Sequence, residues 1–116
     1  MITSTTKHIA LLGLPIDHSR SPEMINDAFR YMNVNCIYTA FNVMSRDLHR
    51  AVDGLKVLGF KGWNVTIPYK VKVIEYLDEL DEMSREMGAV NTVVNKNGKY
   101  IGYNTDGMGY LRSLLE

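Results

Sequence analysis

Two periods of apolar residues alternate along this chain, and the alternation predicts an α/β fold. Residues 8–14 contain the solid apolar run Ile9, Ala10, Leu11, Leu12, closed by Gly13 and Pro15. Such a run suits a central strand buried on both faces. Ser21-Pro22 then predicts a helix start, with serine at the cap and proline in the first helical position. Met24, Ile25, Ala28, Phe29 and Met32 form an apolar stripe at helical spacing, with Glu23, Asp27 and Arg30 off it, as expected of a helix covering a sheet. Residues 36–43 alternate and are rich in β-formers, predicting a second strand. Ser45 is placed to cap a second helix with Asp47 in its first turn, carrying Leu48, Ala51, Val52, Leu55 and Leu58 and ending at Gly59. A third strand is expected over residues 61–66. The order strand, helix, strand, helix, strand implies parallel strands with right-handed crossovers.

Beyond that point the pattern shortens. Pro68 is expected in the first turn of a helix that holds Lys70 and continues through Val71, Ile74 and Leu77. The acidic stretch 78–86 predicts another short helix ending at Gly88. Residues 89–95 read as a strand, Asn97-Gly98 as a two-residue hairpin turn, and residues 99–104 as the returning antiparallel strand. Thr105-Asp106-Gly107 opens a last helix with Met108, Leu111, Leu114 and Leu115. The expected architecture is a three-layer open, mainly parallel sheet flanked by helices, with one antiparallel hairpin near the C-terminal end.

Composition narrows the function classes. A length of 116 residues, 46% of them hydrophobic and 22% charged, fits one domain with a true core. Thirteen basic and thirteen acidic residues balance to zero net charge, which argues against a nucleic-acid surface. No apolar run is long enough for a membrane span. The single cysteine, Cys36, reads as a small buried apolar residue, and a reducing cytoplasm is the compartment expected. Three scattered histidines and one cysteine give no metal-ligand spacing. Gly107-Met108-Gly109 lacks the third glycine and the context of a dinucleotide-binding turn.

The chemistry-bearing positions sit at predicted junctions. Asn64 and Thr66 lie two apart, so a strand puts both on one side, and Lys70 follows at once. A strand end feeding a helix is where open α/β sheets place ligands. Alone, Lys70 reads first as a solvated surface lysine; the pattern around it changes that reading. Ser19 and Ser21 flank a helix N-terminus that could hold a small anion; Ser21 could instead simply cap its helix. Asp106 could be a helix cap or a catalytic carboxylate. The amides of Asn91 and Asn104 suit hydroxyl-rich ligands or strand ends. His18 reads as a solvated loop residue.

Four stretches in series resemble the substrate-binding domain of the shikimate dehydrogenase family: residues 13–22 (GLPIDHSRSP), 64–70 (NVTIPYK), 88–93 (GAVNTV) and 102–107 (GYNTDG). The resemblance implies an NADP-linked enzyme that reduces 3-dehydroshikimate to shikimate. It further implies that Ser19 and Ser21 bind the substrate carboxylate, and that Asn64, Thr66, Asn91 and Asp106 bind the ring hydroxyls. Lys70 and Asp106 would be the catalytic pair. Asn26 matches the family pattern, whereas Ile25 stands where the family usually has histidine. Residues 1–116 would then be the substrate-binding domain, with NADP bound mainly by a second domain outside this chain. The quinate/shikimate dehydrogenase branch and a stand-alone binding module for polyhydroxy carboxylates are the alternatives; the intact Asn64-Val65-Thr66 favours the shikimate branch.

Overall fold

The computed structural model describes residues 1–106. The final helix expected around Met108, Leu111, Leu114 and Leu115 lies outside the described residues. Six strands form one sheet: β1 (Lys7–Gly13), β2 (Cys36–Asn42), β3 (Gly62–Val65), β4 (Glu79–Leu80), β5 (Thr92–Lys96) and β6 (Lys99–Tyr103). Their order across the sheet is β2-β1-β3-β5-β6-β4. Parallel pairings join β1 to β2 and β3, and β4 to β6; β5 runs antiparallel to both β3 and β6. The α/β class, the parallel first half and the hairpin are as expected. The hairpin turn places Asn97 at φ 54° and Gly98 at φ 88°, the left-handed pair that an Asn-Gly turn accommodates.

One face of the sheet carries the core. Ala10 and Leu12 of β1, Trp63 and Val65 of β3, and Val93 of β5 pack with Leu48, Val52 and Leu55 of α2 (Leu48–Val57). These helix positions are four and three apart, so they form one stripe. Leu58, expected on that stripe, is exposed, because it falls at the helix end, just before Gly59 (φ 73°) turns the chain away.

Helix α1 (Ser21–Tyr31) departs more. Its inward row is Ser21, Pro22, Ile25, Asn26 and Phe29, all half-buried, while Met24, Ala28 and Met32 face outward. The reason lies in Asn26. Its Nδ2 donates to the carbonyl of Tyr38 at 2.8 Å, and its Oδ1 accepts from the Tyr38 N–H at 2.8 Å. The side-chain amide thus acts as the missing neighbour of edge strand β2, and α1 is held across that edge. Edge strands need such cover.

The caps also differ. α1 begins at Ser21 with Arg20 in the cap position and no side-chain capping bond. Ser45 starts a 3-10 turn (Ser45–Asp47) ahead of α2, and does not cap it; its hydroxyl lies 3.5 Å from the Tyr69 hydroxyl. No helix starts at Pro68. Residues 66–69 form a tight turn with a cis Ile67–Pro68 peptide, closed by Tyr69 N–H donating to the Thr66 carbonyl at 3.0 Å. Buried Tyr69 donates to the Val43 carbonyl and holds this turn against the core. Only a 3-10 helix (Lys72–Tyr76) follows, with Val73 buried and Val71 exposed. The acidic stretch divides: Glu79 and Leu80 are drawn into β4 by pairing with β6, and α3 is confined to Glu82–Met87. Asp81 caps it by accepting from Ser84 N–H at 2.9 Å, and Gly88 (φ 67°) ends it. Cys36 is half-buried, with burial raising its thiol pKa. No helix among the described residues is long and apolar enough to cross a membrane.

Candidate functional site

β1, β2 and β3 are parallel, so their C-terminal ends, Gly13, Asn42 and Val65, share one edge of the sheet. The antiparallel β5 starts at that same edge, with Thr92 paired to Asn64 and to Tyr103, the last residue of β6. Every candidate residue lies on this edge or in the loops leaving it. The crevice beyond the carboxyl ends of parallel strands is the usual ligand position of such sheets.

The β3 side is locked to the β1 end. Thr66 N–H donates to the Leu12 carbonyl at 2.9 Å, and Leu14 N–H to the Ile67 carbonyl at 3.2 Å. A Cβ on Gly13 would stand 2.3 Å from Thr66 Cγ2 and 2.8 Å from Ile16 Cγ2. Glycine is therefore required for Thr66 and the following loop to sit this close. That loop is tied to β2: Ile16 N–H donates to Asn42 Oδ1 at 3.0 Å, and Asn42 Nδ2 to Asp17 Oδ1 at 2.7 Å. Ser19 N–H donates to the Ile16 carbonyl at 3.0 Å, and Ser19 Oγ accepts from Ser21 N–H at 3.2 Å. Ser21 Oγ has no hydrogen-bond partner among the described residues, so the hydroxyl expected to cap the helix is available to a ligand at the N-terminus of α1.

Lys70 Nζ donates to Asp106 Oδ2 at 2.6 Å, joining residues 36 apart in the chain. The lysine side chain is 33% exposed and the carboxylate 58%, so the pair is open to solvent rather than part of the core. Val90 N–H donating to the Lys70 carbonyl at 2.7 Å anchors the lysine backbone. Asn104, the other amide considered, is buried and donates to the Ala89 carbonyl at 3.0 Å. It is a structural tie beneath the site. His18 is exposed.

Asn64 and Asn91 belong to one hydrogen-bonded chain. Tyr38 Oη donates to Asn64 Oδ1 at 2.9 Å, Asn64 Nδ2 donates to Thr92 Oγ1 at 3.0 Å, Thr92 Oγ1 donates to Asn91 Oδ1 at 3.0 Å, and Asn91 Nδ2 donates to Thr105 Oγ1 at 2.8 Å. Tyr38, Thr92 and Thr105 were not singled out in the sequence. Tyr38 could have been: a tyrosine inside a predicted strand needs a partner for its hydroxyl once buried. The pairings Tyr38 with Ile9 and Leu11 with Asn64 put tyrosine and asparagine on one sheet face with β1 between them, and sequence alone gives no strand order.

Among the described residues no three acidic, histidine or cysteine side chains converge as metal ligands. Nor does any described helix start follow a strand through a glycine-rich turn, so these residues do not form a cradle for a dinucleotide.

Comparison with known proteins shows the family. Residues 11–93 match the family described as "Shikimate dehydrogenase substrate binding domain". The chain is 52% identical over 114 residues to the shikimate dehydrogenase (NADP(+)) of Alkaliphilus oremlandii, covering 98% of this chain and 40% of that protein. It is 57% identical over 111 residues to that of Lysinibacillus sphaericus, covering 95% of this chain and 40% of the relative. The crystal structure of shikimate 5-dehydrogenase from Listeria monocytogenes in complex with shikimate and NAD superposes with a TM-score of 0.92 at 43% identity, over 98% of this chain and 39% of that one. The chain thus spans about 40% of the length of the relatives it matches. With residues 11–93 matching that family and its fold superposing on solved members, the chain belongs to the shikimate dehydrogenase substrate-binding domain family.

Proposed function

We propose that this chain is the substrate-binding part of an NADP-dependent shikimate dehydrogenase, and that residues 1–116 work with a separate cofactor-binding part to reduce 3-dehydroshikimate to shikimate in the cytoplasm. The observation that carries this reading is the Lys70–Asp106 pair, 2.6 Å apart, placed on the sheet edge beside the amides of Asn64 and Asn91. An ammonium that is bonded to a carboxylate yet open to a crevice is suited to a ketone oxygen. As the ketone carbon gains a hydride, negative charge grows on that oxygen, and a donor already in place stabilises it and supplies the proton. Lys70 is that donor, and Asp106 aims it and accepts a hydrogen bond from a substrate hydroxyl. A bound NADPH would supply the hydride.

Ser21 Oγ, Ser19 and the N-terminal end of α1 are assigned to the substrate carboxylate, where the helix dipole favours an anion. Thr66, Asn64 and Asn91 are assigned to the ring hydroxyls. Asn64 can offer a further substrate hydroxyl only a lone pair, because both its amide hydrogens are used, on Thr92 Oγ1 and on the Asn91 carbonyl at 3.3 Å. Asn91 offers a hydrogen, because its oxygen already accepts from Thr92 Oγ1 and from Thr105 N–H at 3.1 Å. Such fixed polarity rejects a ligand that lacks the matching hydroxyl, since buried polar groups would be left unpaired.

Titrating the 15N-labelled chain with shikimate and with quinate tests this reading. Amide shifts are expected at Ser19, Ser21, Asn64, Thr66, Lys70, Asn91 and Asp106, with shikimate the tighter ligand. Shifts on another surface, or none at millimolar shikimate, would remove the assignment; tighter quinate binding would move the chain to the quinate/shikimate branch.

A further inference from the structure

We infer that Tyr38 is a positioning residue that holds the Asn64 side-chain amide in place for the site. The inference rests on the proposed role of Asn64 as a substrate ligand. Four consecutive bonds run in one direction, from Tyr38 Oη through Asn64, Thr92 and Asn91 to Thr105 Oγ1. An amide or a hydroxyl can reverse its role within such a chain, and backbone groups fix the direction here: the Asn91 carbonyl can only accept from Asn64 Nδ2, and Thr105 N–H can only donate to Asn91 Oδ1. Asn64 Oδ1 is thereby left to accept, and Tyr38 Oη is the side-chain donor that meets it. Its side chain is almost fully buried, at 3% exposure, and a neutral phenol there has one hydrogen to give. Giving it to Asn64 Oδ1 holds the amide with Nδ2 toward Thr92, whose hydroxyl donates in turn to Asn91 Oδ1. That in turn leaves Asn91 Nδ2 to donate. Aligned bonds of this kind polarise one another.

The tyrosine is itself held from outside. Asn26 clamps the Tyr38 backbone by both its N–H and its carbonyl, and Asn26 lies on the same helix whose first residue is Ser21. The phenol keeps its proton through ordinary working pH, since burial pushes its pKa up to about 12. The carboxylate end of the proposed site and the hydroxyl end are therefore set by one edge of the fold.

The test uses the 15N-labelled chain with Tyr38→Phe, which keeps the ring and removes only the hydroxyl. In the parent, the Asn64 side-chain NH2 should give two separate resonances that exchange slowly with water. In Tyr38→Phe those resonances should move, exchange about tenfold faster, and accompany an approximately tenfold weaker shikimate affinity, the scale of one buried hydrogen bond. Unchanged Asn64 side-chain resonances and exchange in Tyr38→Phe would overturn the inference. The second arm is Asn64→Ala. In that background Tyr38→Phe should have no further effect on shikimate affinity; a persistent effect would show Tyr38 acting by another route and would also overturn it. If Asn64→Ala binds shikimate as the parent does while Tyr38→Phe still moves the Asn64 resonances in the Asn64-containing chain, the site assignment fails and the orienting role of Tyr38 stands.

Discussion

Lys70 and Asp106 illustrate what a single contact can and cannot do. Their ion pair is too exposed to hold the fold together, since partly solvated pairs contribute little to stability. In the proposed function its value is positional: an ammonium held by a carboxylate and open to solvent. Lys70→Ala is therefore expected to leave the melting temperature of the chain nearly unchanged. Combined with the remaining part of the Lysinibacillus sphaericus relative, the same substitution should lower kcat by about a hundredfold or more, with a smaller change in KM. A large rise in KM at constant kcat would make Lys70 a binding residue. Tyr38 carries the opposite profile, a buried group with a stability signature. Its pKa is raised to about 12 by desolvation, whereas an exposed tyrosine ionises near 10. Between about pH 10 and 12 the unfolded chain therefore binds fewer protons than the folded one, and stability falls as pH rises through that window. Urea unfolding at pH 9 and pH 11 should show a smaller loss for Tyr38→Phe than for the parent, and equal losses would contradict the burial argument.

At the scale of elements, the close approach of the β1 end to the turn after β3 sets the crevice geometry. Gly13 leaves the gap that Thr66 and Ile16 fill. Gly13→Ala would push a methyl to 2.3 Å from Thr66 Cγ2 and 3.2 Å from the Ile67 carbonyl, so the turn holding Thr66 must move. An overpacking cost of about 1–3 kcal/mol is expected by chemical denaturation, together with amide shifts at Thr66 and Lys70 and weaker shikimate binding. Normal stability and unshifted Thr66 would mean that the gap is not needed. The same scale explains α1. Its apolar stripe suggested a helix lying on the sheet, yet Asn26 holds it to the edge of β2 and turns Met24 and Met32 outward. Two hydrogen bonds to backbone groups of an edge strand outweigh the preference of these two methionines for burial.

Across the whole molecule, stability and function are distributed differently. The centre of the sheet is dry: Ala10, Leu12, Trp63, Val65 and Val93 are each 2% exposed or less. The two-residue edge strand β4 is the weakest part of the same sheet. Hydrogen exchange should therefore be slowest at Leu12 and Trp63 and on the order of a hundredfold faster or more at Glu79 and Leu80. Comparable protection at both places would indicate a different distribution of stability. The proposed site lies between these extremes, on loops leaving the rigid strands β1 and β3. That placement lets a stiff scaffold position adaptable side chains.

Much of this was legible in the chain itself, because period and turn chemistry are local. The apolar run from Ile9 to Leu12, the helical spacing of Leu48, Val52 and Leu55, and the Asn97-Gly98 turn each determine an element from a few neighbours. The serial motifs around Ser19, Asn64, Asn91 and Asp106 pointed to the family for the same reason. What tertiary structure alone decided are the pairings between distant segments. Glu79 and Leu80 become a strand only because β6 offers them a partner. Ser21 and Ser45 give up the expected caps because loop and core contacts set where their helices begin. Pro68 sits in a turn because buried Tyr69 ties that turn to Val43. Tyr38 reaches Asn64 only because β1 lies between their strands, a neighbourhood that no spacing along the sequence encodes.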